Sequence, residues 1–115
     1  MSTEQIQHVI LELVVEDSFA LSEIVDRIRQ QNAQFVFEEA LAAARSCVEH
    51  MLELGLIEVS RLDTPRGPES TVRGEDALTG VRDDSEWRRS TSWRSHLRIF
   101  ATAAGRNVYY GRPLN

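Results

Sequence analysis

The chain has 115 residues, 42% hydrophobic and 27% charged, with a formal net charge of −5 and one cysteine. This is the size of a single domain that buries a core without disulfides or metal, and one cysteine excludes an intrachain disulfide. No apolar run approaches the roughly 20 residues of a membrane-spanning helix, and the opening MSTEQIQHVILELVVEDSF lacks the basic start of a secretory signal, so a cytoplasmic location is expected.

The charge is uneven along the chain. Up to Glu58, three arginines face eleven acids; from Val59 onward ten arginines face seven acids. From Arg88 to the end there are six arginines and no acid, and the whole chain contains no lysine. Two explanations stand side by side: the acidic and basic halves attract one another within the fold, or the basic end forms a contact surface.

In chain order, Ile6, Val9, Ile10, Leu13 and Val14 repeat at helical spacing, which predicts a first helix over residues 4–16. Ser2 and Gln5 fit a capping box at its start. Asp17 and Ser18 break it, and residues 19–21 read as a very short extended piece. Ser22 is the expected cap of a second helix, with Glu23 in the first turn and Ile24, Val25 and Ile28 on its buried side. A long third helix then begins near Val36 or Phe37 without a good cap. Phe37, Leu41, Ala44, Val48 and Met51 share one face, with Ala40, Cys47 and Leu54 beside it. Cys47 therefore reads as a buried structural thiol. Gly55 is the expected stop, since the residue after a helix often takes the left-handed conformation that glycine adopts cheaply.

Residues 56–62 read as a strand, and the prolines and glycine that follow predict a loop through DTPRGPEST. GEDALTGVRDDSEWRR reads as a helix or two short helical turns, with Ala77, Leu78, Val81 and Trp87 facing inward and Gly80 and Asp83-Asp84 weakening the middle. HLRIFAT alternates as a strand, and Thr102 is placed to cap a last short helix ending near Gly111. The expected class is α+β. The element order is that of a winged helix-turn-helix: a three-helix core, a two- or three-stranded antiparallel wing, and a helical insertion between the wing strands.

The runs ALSEIVDRI, VEHMLELGLIEVSR and FATAAGR resemble bacterial winged-helix regulators of the multiple-antibiotic-resistance and related types. The chain is more similar still to small bacterial winged-helix proteins whose wing carries a Glu-x-Ala-Leu…Glu-Trp helix, here Glu75, Ala77, Leu78, Glu86 and Trp87. The resemblance covers most of the chain. It implies a winged-helix fold, and it implies that a homodimer would pair through the first helix and the Tyr109-Tyr110 segment. Its motifs are fold signals, and fold alone does not assign an activity.

Catalytic and metal patterns are missing from the sequence. His8, His50 and His96 lie far apart, no second histidine follows Glu49-His50 at zinc spacing, and Ser90-Thr91-Ser92 has no adjacent base. No glycine-rich loop carries a phosphate-binding lysine. No enzyme activity and no cofactor are expected. The leading expectation is binding of double-stranded DNA and regulation of transcription, through Arg45 on the third helix and Arg61, Arg66, Arg94 and Arg98 around the wing. Against it, the third helix carries Glu38, Glu39, Glu49 and Glu53, which repel phosphate. The competing expectation is a protein-interaction module presenting Trp87, Trp93, Tyr109 and Tyr110 among arginines.

Overall fold

The computed structural model describes residues 1–111. The first helix, α1, runs Thr3–Val14, two residues short of its expected end. The capping box forms as expected: Ser2 Oγ accepts from the Gln5 amide at 3.2 Å, and Gln5 Oε1 accepts from the Ser2 amide at 2.7 Å. The five stripe residues are buried, together with Leu11. Strand β1 is the two-residue piece Phe19–Ala20. Helix α2, Leu21–Gln31, starts before Ser22, so Ser22 is not its cap. Leu21 is drawn into the helix because its side chain lies in the core. The Glu23 carboxylate then accepts the Ala20 amide at 3.2 Å and satisfies one of the orphan donors of the helix start.

Helix α3, Phe37–Glu53, starts without a side-chain cap and ends at Gly55 with φ +72°. The Gly55 amide donates to Leu52 O at 3.1 Å and the Leu56 amide to Met51 O at 3.0 Å, the paired bonds of a Schellman stop. This places Leu56 in the turn, and β2 spans Ile57–Leu62.

The next segment departs from expectation. The expected loop contains a strand, β3, Glu69–Val72, paired antiparallel to β2 from Val59↔Val72 to Leu62↔Glu69. Helix α4, Gly74–Arg82, and a 3-10 turn, Asp84–Trp87, follow as two short pieces. Strand β4, His96–Ala101, and helix α5, Ala103–Tyr110, complete the described chain. The sheet order is β1-β4-β2-β3, all antiparallel, so β2, β3 and β4 fall within the expected two or three strands and the short extended piece β1 adds a fourth. The architecture is α+β and compatible with the expected winged-helix arrangement.

The core lies between the three long helices and one face of the sheet. Ile57, Val59, Leu97, Ile99 and Ala101 line that face. Alternation puts Arg98 and Phe100 on the other. Trp87 is fully buried, and its Nε1 donates to Val81 O at 2.6 Å. Helix α5 is fastened to the α3–β2 junction: Thr102 N donates to Leu56 O at 3.0 Å and Thr102 Oγ1 to Gly55 O at 2.6 Å. A methyl group at Gly105 would clash with the Leu56 carbonyl, so only glycine allows this approach.

Candidate functional site

Helix α3 has three faces with different roles. Ala40, Leu41, Ala44, Cys47, Val48 and Met51 enter the core. Burial pushes the Cys47 thiol up to about 11, which keeps it protonated and unreactive near neutral pH. One flank is covered by the segment between β3 and β4. Arg45 reaches Asp84 at 3.2 Å, Glu49 accepts from Arg82 at 2.6 Å, and Glu38 accepts from Arg88 at 3.0 Å. The remaining face, open to solvent, is Glu39, Ala42, Ser46, His50 and Glu53. It holds no arginine.

The same cross-linking continues to either side. Arg88 also holds Asp84 at 2.5 Å and lies 5.3 Å from the Phe37 ring centre, while Arg29 lies 5.8 Å from that ring. Hydrogen bonding from Arg88 is the main cause that holds the Asp84 carboxyl below its usual range, with help from Arg45. The Arg88 guanidinium is raised in turn, mainly by the hydrogen bonds it donates to Asp84 and then to Glu38. Arg89 donates through Nε to Asp26 at 2.8 Å, which raises its guanidinium too. Exposed pairs of this kind contribute little stability each. Their larger consequence is that basic groups of the second half are neutralised by acids of the first.

The five arginines expected to contact DNA do not converge. Arg45 is half-buried against Asp84, with its Nε buried and without a hydrogen-bond partner. Arg61 bonds Ser95 Oγ at 3.1 Å and lies 3.8 Å from Glu86. Arg94 donates to the Ser85 carbonyl. Arg98, with a side chain only 19% exposed, donates to Ser18 O at 2.7 Å and Ser18 Oγ at 3.0 Å. It lies on the sheet face opposite the core and belongs to a network in which Glu69 accepts from Ser18 at 2.8 Å and Ser60 at 2.5 Å. Arg66, between β2 and β3, is exposed and makes no ion pair among the described residues.

The four aromatics are also dispersed. Trp87 is in the core and is not available to a partner, which corrects its expected place on a contact surface. Its indole needs burial, and Val81 O satisfies its N–H. Trp93 is 47% exposed and meets His96 edge-to-face at 6.2 Å. Tyr109 stacks on His8 of α1 at 5.4 Å, and Tyr110 donates to Glu16 at 2.6 Å. Tyr109 therefore binds α5 to α1 and Tyr110 binds it to the segment just after α1, and Trp93 stands apart on the segment leading into β4.

Sequence reasoning missed a groove. A space of about 560 Å³ opens between the end of α3, β2, β3 and the start of α4. Leu52, Val72 and Leu78 give it an apolar lining, and Glu53, Glu58 and Arg73 stand at its edge. Its signal in the sequence was slight: half-buried leucines and valines on elements that meet only through the unexpected strand β3. Among the described residues no three His, Cys, Asp or Glu side chains gather as a metal site. No helix among them is long and apolar enough to cross a membrane. Compared with known proteins, the chain matches no family model, no curated protein and no solved structure significantly.

Proposed function

We propose that this chain is a non-enzymatic winged-helix module of the cytoplasm that acts by contacting another protein rather than by reading DNA. The winged-helix reading is supported by topology. A short strand between α1 and α2 pairs with β4, β4 pairs with β2, and α2 leads directly into α3. The segment from β3 to the 3-10 turn is then an insertion in the wing. Homodimerisation through α1 and α5, where His8, Tyr109 and Tyr110 meet, belongs to the same reading.

The solvent face of α3 carries the functional conclusion. A helix entering the major groove needs cations against phosphate and amides or arginines against base edges. Glu39, Ala42, Ser46, His50 and Glu53 offer two carboxylates and small side chains instead. The one arginine of α3 is turned into the flank and paired with Asp84. Such a surface repels a duplex and suits a protein partner.

A photo-crosslinking amino acid at Ser46, in the cells that encode the protein, tests this. The expected result is a discrete protein adduct that is absent when the label is moved to buried Val48. An adduct to nucleic acid, or none at all, contradicts the proposal. The DNA reading keeps one specific support: Arg66 and Arg73 beside β3 are exposed and make no ion pair among the described residues, where they would reach a phosphate backbone.

A further inference from the structure

We infer that Ser92 is a phosphorylation site for an arginine-directed serine/threonine kinase, and that the cleft beside it is the seat of the phosphate. This does not depend on which partner α3 meets.

Sequence and accessibility point to the hydroxyl. The segment from Arg88 reads RRSTSWRS, so Arg89 stands three residues and Arg88 four residues before Ser92. An arginine at that distance is what an arginine-directed kinase selects through charge. Ser92 is exposed and lies outside helix and strand, and its hydroxyl makes no hydrogen bond among the described residues. A surface segment of this kind enters an enzyme cleft without opening the core. The arginines are accessible too. The Arg89 side chain is 76% exposed and that of Arg88 43% exposed, and ion pairs at such positions exchange readily for another acid.

The surroundings of Ser92 supply the seat. It lines a cleft of about 260 Å³ together with Arg88, Arg89 and Arg94. Arg94 donates to the Ser85 carbonyl and makes no ion pair among the described residues, so its charge is unopposed. The two carboxylates of the cleft are engaged. Glu86 accepts from the Leu97 amide at 3.3 Å and lies 3.8 Å from Arg61, and Glu23 accepts from the Ala20 amide at 3.2 Å. The planar fork of a guanidinium matches phosphate oxygens. The neighbouring hydroxyls fit less well: Ser90 Oγ already accepts from the Ser92 amide at 3.4 Å, and Thr91 does not line the cleft.

In the transfer, the bond from the γ-phosphorus of a nucleoside triphosphate to its bridging oxygen breaks and a bond to Ser92 Oγ forms. The nucleoside diphosphate leaves, and the hydroxyl proton passes to the base of the kinase. The new group carries up to about two negative charges. Arg94 meets it first. Arg89 then exchanges Asp26 for it, which releases one tie between this segment and α2.

The full chain treated with an arginine-directed kinase and magnesium ATP, with the modified residue mapped by mass spectrometry, tests the site. One phosphate at Ser92 is expected. Ser92→Ala should abolish it, and Arg89→Ala should lower the initial rate about tenfold. No incorporation, or incorporation confined to other hydroxyls, would overturn the site. The seat is tested separately by phosphorus-31 titration of the chain with phosphoserine encoded at Ser92. The phosphate is expected to take up its second charge about half a pH unit or more below the ~6 of free phosphoserine, and Arg94→Ala to restore that value. A midpoint at the ordinary value, or one unmoved by Arg94→Ala, would overturn the seat.

Discussion

Between β2 and β4 the chain forms two arms that are built differently. The first, β3 and its hairpin, is held by the ladder to β2 and by one polar network around Glu69; its side chains are largely exposed. The second, α4 and the 3-10 turn, is held by Trp87 in the core and by ion pairs to α2 and α3. The first arm displays what it carries, including Arg66 and Arg73 and one wall of the groove. The second uses what it carries: its cations and its tryptophan are committed to the rest of the fold. Of the residues expected to contact a partner, Trp87 lies in the second arm and is buried, whereas Arg66 lies in the first and is exposed.

The largest effect that sharpens this contrast is expected from Trp87→Ala. Emptying a fully buried indole site should cost about 4 kcal/mol in chemical denaturation. A loss below about 1 kcal/mol would mean that the second arm is not part of the core. Glu69→Ala strips the first arm of its acceptor and leaves Ser18, Ser60 and half-buried Arg98 without their carboxylate. A loss of about 1 to 2 kcal/mol is expected, with increased hydrogen exchange confined to the amides of β3. Exchange spreading through α4 would show that the two arms open together.

Smaller again is the effect of Gly55→Ala. A methyl group there meets open space, so the cost is that of holding an L side chain at φ +72°, about 1 kcal/mol in the same denaturation experiment. The smallest effect is electrostatic and depends on pH. The Asp84 carboxyl titrates below its usual range in the folded chain. Its stabilisation is therefore present above the usual carboxylate pKa and disappears as pH falls through the lowered folded value. Melting temperatures of wild type and Asp84→Asn should differ slightly near pH 7 and converge in acid. A gap that widened in acid would carry the wrong sign.

Much of the fold was legible because it is local. The stripes of α1 and α3, the capping box of Ser2 and Gln5, the Thr102 cap and the Gly55 stop each depend on residues close together in the chain. Strand β3 was not legible. ESTV carries no apolar alternation, and it becomes a strand only because β2 lies beside it. Gly80 read as a weak point in a helix; in the fold, a side chain there would collide with Leu97, which explains the glycine as a close approach. The charge imbalance was visible, but its resolution was not. Arg89 and Asp26 are 63 residues apart, and Arg88 and Glu38 are 50 apart. No spacing rule joins such pairs. The groove was hidden for the same reason, since four elements meet to form it.

The proposed preference for a protein partner over DNA rests on the acidic solvent face of α3. Anisotropy of a fluorescent duplex tests it most directly, titrated with micromolar protein across about 50 to 200 mM salt. The expected result is no binding that depends on salt, and no change on Arg94→Ala plus Arg98→Ala. Saturable binding that weakens steeply with salt would contradict it, whether it is lost in that double variant or in Arg66→Ala plus Arg73→Ala.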